Sequence, residues 1–161
     1  MQLILNKNTD YFACMIQIKF PEPSFKLRQL EDQPQIFDPI RQKWVVLQDE
    51  EWVRQNIIAW LVKEAAIPPS FIAVEKNLPY GNTTKRFDIL IYATNHSPWM
   101  MIECKAPNVE LTESTLMQIL SYNASVPVPY MMITNGASTH LANKKAEPPF
   151  WSSAFPRFGE D

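Results

Sequence analysis

Two short apolar runs, Ile89-Leu90-Ile91-Tyr92 and Trp99-Met100-Met101-Ile102, set the first limit on how this chain can fold. Apolar runs of four residues bounded by turn signals fit buried strands and are too short for buried helices. Each run carries charge at one end. Asp88 opens the first, and Glu103-Cys104-Lys105 closes the second. The turn at Asn95–Pro98 makes the strands antiparallel, and pairing about a centre near residue 96 sets residue 88 opposite about residue 104. Strand side chains alternate faces, so Glu103 and Lys105 point one way and Cys104 the other. Two carboxylates and an amine are thereby expected at one edge of a sheet.

The remaining elements follow from local patterns. "KWVVL" is a short strand within an extended lead-in. Asp49 reads as a helix N-cap, with Glu50 and Glu51 in the first turn, where the helix dipole favours negative charge. Val53, Ile57, Trp60 and Leu61 then form one apolar stripe, and Pro68-Pro69 ends the segment. "FIAVE" (71–75) is strand-like, Gly81-Asn82 marks a turn, and Arg86–Tyr92 and Trp99–Lys105 are the next two strands. Thr112 to about Ala124 reads as a helix with Leu116, Ile119, Leu120 and Asn123 on one face. "YMMIT" (130–134) is a strand that Asn135-Gly136 terminates. Short turns join the first three strands as a meander, and the helix before the fourth permits a parallel crossover. The fold class is α/β, a mixed sheet flanked by helices.

A length of 161 residues suits one domain, which can bury a core without disulfides. Fourteen prolines against three glycines imply stiff connections. A net charge of −2 and a pI of about 5.7 exclude avid electrostatic binding to nucleic acid, so any phosphate contact must come from a local patch. Cys14 and Cys104 make neither a disulfide scaffold nor a zinc site, and a reducing cytoplasm is the expected location. No apolar stretch is long enough to cross a membrane, and no signal peptide is expected. Met15 is a candidate start, because residues 1–14 are unlike the rest.

Crowded carboxylates repel unless a cation intervenes. Oxygen ligands on Asp88 and Glu103, with room for a backbone carbonyl and waters, suit Mg²⁺ or Mn²⁺. Lys105 beside them can steer or deprotonate a bound water, or neutralise a phosphate. That set suffices chemically for hydrolysis of a phosphodiester. Gln118 and Tyr122, at i and i+4 on the second helix, share a face and can reach the same site.

The ordered series Asp88, then Glu103-x-Lys105, then Gln118-x-x-x-Tyr122 resembles the PD-(D/E)XK nuclease superfamily. It is most similar to stand-alone proteins like the N-terminal nuclease domain of type I restriction R subunits. "FDPIRQKWVVLQDEEWVRQ", "VEKNL", "RFDILIY", "MIECKAP", "QILSYN" and "ITNG" carry the likeness from about Gln35 to Gly136. The resemblance implies a restriction endonuclease-like αβββαβ core in residues 35–142, preceded by an irregular lead-in with short strands (1–34) and followed by an irregular Pro-rich tail (143–161). It implies Mg²⁺ or Mn²⁺ on Asp88, Glu103 and the Cys104 carbonyl, with Lys105 catalytic. The superfamily often adds a glutamate from the first helix. Glu50 and Glu51 both match that region, and at 100° per residue Glu50 falls nearer the sheet-facing stripe. Phe87 stands where a proline often precedes the first acid.

Plainer roles compete with these. Glu103 and Lys105 can be a surface ion pair, Asp88 can pair with Lys85 or Arg86, and Glu75 can be a site residue or a simple ion-pair partner. Gln118 can be helix surface and Tyr122 core rim. His96 and His140 are expected to be solvated or at the core edge, and Cys104 to be a buried small hydrophobe. Two functions therefore stand: a Mg²⁺-dependent nuclease acting on DNA, and a catalytically silent nuclease-fold module serving as a DNA-binding or scaffold subunit. A protein partner such as a motor subunit fits either, and a homodimer would let two sites cut both strands.

Overall fold

The computed structural model describes residues 15–80, 82–112, 114, 115, 117, 128–144 and 151–160. Within them a three-stranded antiparallel sheet comes first: β1 (Leu27–Leu30), β2 (Gln33–Asp38) and β3 (Lys43–Val46). Helix α1 (Asp49–Lys63) follows. A second sheet holds β4 (Ile72–Tyr80), β5 (Thr83–Tyr92), β6 (Pro98–Cys104), β7 (Tyr130–Thr134), β8 (Thr139–Asn143) and β9 (Trp151–Ser152), in that spatial order. Strands β4, β5 and β6 form the expected antiparallel meander, and β6 pairs with β7 in parallel. Strands β8 and β9 extend the sheet antiparallel beyond β7. The architecture is a mixed-sheet α/β fold. Most of the helix expected over 112–124 lies outside the described residues.

Helix α1 starts one residue earlier than its sequence suggests. Gln48 is the N-cap and offers no side-chain hydrogen bond, while Asp49 is the first helical residue. Asp49, Glu50 and Glu51 in the first turn complement the dipole instead. The stripe Val53, Ile57, Trp60 and Leu61 is buried as the period requires. It packs with Ile89, Ile91, Met100, Ile102 and Cys104 on one face of the large sheet. Each of those large apolar side chains contributes roughly 1.5–3 kcal/mol by leaving water. Glu51, Arg54, Gln55 and Ile58 are buried too, because the three-stranded sheet covers an adjoining side of the helix. The opposite face of the large sheet buries Phe87, Leu90, Met101, Met131 and Ile133.

Two aromatic residues of the tail dock onto the core. Phe155 packs edge-on against Trp60 at 4.8 Å, and Phe158 lies 5.3 Å from Phe71 and 5.5 Å from Trp99. The turn from β7 to β8 is built by Asn135, whose Oδ1 accepts from the N–H groups of Ala137 and Ser138. Gly136 there has φ +89°, which a residue with a Cβ adopts only under strain. His140 in β8 is buried, not solvated.

Candidate active site

Strands β5 and β6 bring the two acids of the central strands to one rim. Ile89 pairs with Ile102, so Asp88 lies across from Glu103, one step further along. An irregularity between Ile91 and Tyr92 sets the register, one residue away from the partner at 104 that a simple turn predicts. The N–H of Cys104 donates to Asp88 Oδ2 at 2.8 Å. Lys105 Nζ donates to Glu103 Oε1 at 3.0 Å. The expected placement of Cys104 also appears: it is fully buried, on the α1 side.

Electrostatics link the same groups. Burial pushes the Glu103 carboxyl above its ordinary value, the nearby Asp88 and Glu50 push it further, and Lys105 opposes them. Burial alone would lower the Lys105 ammonium, but Glu103, Asp88 and Glu50 outweigh it and hold the group charged. Burial pushes the Cys104 thiol well up, and the surrounding acids add to this, so it is a poor nucleophile. Glu50 therefore lies within electrostatic reach of Glu103 and Lys105. Glu51, the next residue, is more deeply buried and meets Arg41, Arg54 and Gln55.

Asp88 has a partner that the chain order does not suggest. Arg54 on α1 places Nη2 at 2.9 Å from Asp88 Oδ1 and 3.0 Å from Glu50 Oε1. Its Nη1 donates to Glu51 and lies 4.0 Å from Glu75. Arg41, in the β2–β3 turn, donates to Asp38 at 2.6 Å, Glu51 at 2.6 Å and Glu75 at 2.5 Å. Arg86 lies 3.4 Å from Glu75, and not beside Asp88. Five carboxylates (Asp38, Glu50, Glu51, Glu75, Asp88) thus meet three guanidiniums (Arg41, Arg54, Arg86) among the described residues. The surplus is two negative charges beside the Glu103–Lys105 pair.

The backbone is distorted at this point. Glu75, between the pairs Val74–Ile89 and Lys76–Phe87, has φ +51° in the middle of β4. Facing it on β5, Phe87 and Leu90 pack in one layer, so the alternation of faces breaks once between them. That break turns Asp88 toward α1 and Arg54. A left-handed non-glycine residue inside a strand costs on the order of 1–3 kcal/mol, and such strain gathers at functional sites.

Gln118 and Tyr122 lie outside the described residues. Arg54 was legible in part, since Glu50 and Glu51 stand four and three residues before it on one helix. Arg41 carried no such signal, because its partners Glu51 and Glu75 are ten and 34 residues away.

Residues 49–150 match the family model of the type I restriction enzyme R protein N terminus. The chain belongs to this family. The matched span of this R-protein N-terminal family member includes Glu50, Arg54, Glu75, Asp88, Glu103 and Lys105, while Asp38 and Arg41 precede it. Comparison with curated proteins gives no match. No helix among the described residues is long and apolar enough to cross a membrane.

A Mg²⁺ or Mn²⁺ ion is the cofactor that the site chemistry suggests. Among the described residues no three of His, Cys, Asp and Glu are gathered as a ready metal cage. Mg²⁺ rarely uses such cages; one or two carboxylates hold it together with water and substrate phosphate. The donors here are hard oxygens, and the local surplus of negative charge calls for a cation. Among the described residues each Asp88 oxygen has one hydrogen-bond partner, which leaves lone pairs on both. The residues fit such an ion.

Proposed function

We propose that this chain is a Mg²⁺- or Mn²⁺-dependent nuclease of PD-(D/E)XK type that hydrolyses DNA phosphodiester bonds. The observation that carries this reading is the meeting of Asp88, Glu103 and Lys105 at one sheet rim, in a member of a restriction-enzyme family. Asp88 and Glu103 would hold the ion, with the Cys104 carbonyl and Glu50 as further donors. When bound, the ion supplies Lewis acidity and a water of lowered pKa.

The chain's own residues do the rest. The Cys104 N–H and Arg54 fix the Asp88 carboxylate from two directions, so its orientation does not wait for substrate. Glu103 holds the Lys105 ammonium 3.0 Å away, where it can donate to a phosphate oxygen and oppose the charge that builds there. Lys105 serves better as this positive donor than as a base, because it is already paired with a carboxylate. Gln118 and Tyr122 are proposed to contact the phosphate or a base. Other subunits of a restriction enzyme, a motor among them, are the proposed partners, and a dimer would present two sites to a duplex.

The test is cleavage of plasmid and linear DNA with Mn²⁺ or Mg²⁺ by wild type, Lys105→Ala and Asp88→Asn. Cleavage by wild type that both substitutions abolish supports the reading; activity that survives both refutes it. A second reading, a silent nuclease-fold module, is favoured by one observation: Arg54 already neutralises Asp88. It predicts that calorimetry detects no divalent-ion binding near physiological concentration.

A further inference from the structure

The pairing of Arg54 goes beyond holding the fold together. A single nitrogen, Nη2, touches both Asp88 and Glu50, the two carboxylates that the ion would draw on from different elements. Glu50 has little other reason to stay near: its side chain is 43% exposed, whereas that of Arg54 is 4% exposed. The guanidinium is also not used as a full hydrogen-bonding fork. Its Nε is buried with no partner, so the terminal nitrogens and their charge decide where it sits. An arginine stays charged at any working pH, so it cannot leave the site by losing a proton. Only another cation or a movement of the side chain can replace it.

We propose that Arg54 is a resident counter-ion of the candidate metal site. It holds Asp88 and Glu50 in place while no divalent ion is bound, and it competes with that ion for their oxygens. This inference rests on the nuclease-site reading above. Arg54 is a positioning residue: it acts through Asp88 and Glu50 and is not assigned a contact with substrate. The consequence is a site of deliberately modest metal affinity, which fills firmly once a substrate phosphate adds its own oxygens and negative charge.

The direction of the effect separates this role from a structural one. A residue that merely supports the ligands would weaken metal binding when replaced. A competing cation strengthens it. The experiment is a calorimetric titration of the full chain with Mn²⁺ at low temperature, alongside the Mn²⁺-induced rise in melting temperature. Near-ultraviolet dichroism from the tryptophans verifies folding. R54Q is expected to bind Mn²⁺ at least about tenfold more tightly than wild type, the scale for removing one full charge at hydrogen-bonding distance in a partly buried site. Its melting temperature should start lower and rise further with Mn²⁺. R54K keeps the charge and is expected to bind within about threefold of wild type. If R54Q does not fold, R54Q/E51Q removes one carboxylate along with the guanidinium; tighter Mn²⁺ binding than wild type is expected there too, by a smaller factor because the lost Glu51 charge offsets part of the gain.

D88N separates the two levels of inference. If D88N abolishes Mn²⁺ binding but R54Q binds equally or more weakly than wild type, the counter-ion role is overturned and the site stands. Tightening by R54K as large as that by R54Q overturns it as well. If no variant binds Mn²⁺, or D88N leaves binding unchanged, the metal-site reading itself fails and takes this inference with it.

Discussion

Arg41 ties the three-stranded sheet to the rest of the molecule, and replacing it with methionine tests how much the charged network stabilises the fold. Each of its three side-chain nitrogens donates to a different carboxylate: Nε to Asp38, Nη1 to Glu75 and Nη2 to Glu51. The side chain is 9% exposed and that of Asp38 is 0% exposed, so the pairs are screened little. Removing one partner of a buried ion pair costs about 3–5 kcal/mol, because a charge is left uncompensated. The acceptors here keep other partners. Asp38 retains Gln55 and the N–H groups of Ile40 and residue 41, Glu51 retains Arg54 and Gln55, and Glu75 retains Arg86. The loss for Arg41→Met should therefore fall at the lower end, about 3 kcal/mol, or roughly 6–12 °C in melting temperature for a domain of this size.

The pH dependence gives that prediction a second handle. Burial raises the Glu75 carboxyl, but Arg41, with Arg54 and Arg86, brings it below its ordinary value of 4.5. An acid lowered by folding stabilises the protein fully above its unfolded pKa, and that contribution fades as pH falls through the folded value. The difference between wild type and Arg41→Met should thus be complete at pH 7 and shrink below about pH 4.5. Urea denaturation at pH 7, 5 and 4 measures it, with Arg41→Met/Glu75→Gln expected to recover part of the loss. A difference under about 1 kcal/mol at pH 7 would mean that the network behaves as a solvated surface cluster, and the argument from burial would be wrong.

Other outcomes follow from single residues. Burial holds the His140 imidazole below 6.5 and its Nδ1 has no partner, so the unfolded chain takes up the proton first. Stability should fall as pH drops from 7 through 6.5 to the folded value, and His140→Leu should flatten that slope in thermal melts between pH 5.5 and 7. Gly136→Ala forces a Cβ onto φ +89° and to 3.4 Å from Val53 Cγ2. The cost should be about 1–2 kcal/mol, seen as a melting temperature lower by roughly 2–8 °C. Ile57→Ala empties a fully buried position on the α1 stripe and should cost about 2–5 kcal/mol by urea denaturation.

Local pattern explains which parts of this fold were readable. The runs at 89–92 and 99–102 and the "YMMIT" strand are short continuous apolar runs, the stripe on α1 follows a period of 3.6, and all are buried apart from the half-buried Tyr92 and Tyr130. Strands β8 and β9 carry no such signal. Thr139–Asn143 mixes polar and apolar residues yet is buried along four of its five positions, because pairing with β7 decides its place. The docking of Phe155 and Phe158 likewise depends on Trp60 and Trp99, each more than 50 residues away.

The candidate site divides in the same way. That Asp88, Glu103 and Lys105 come to a common rim follows from the chain order, since two strands and a short turn leave few registers, but the face that Asp88 takes comes from a break in alternation beside it. The charge around them comes from contacts between distant parts of the chain. Arg54 crosses from α1 to Asp88, Arg41 crosses from the small sheet to Glu51 and Glu75, and Glu75 takes a left-handed backbone that its residue type would not choose. A hydrophobic period is written into neighbouring residues, whereas a buried ion pair is defined by two groups whose separation along the chain says nothing about their separation in space.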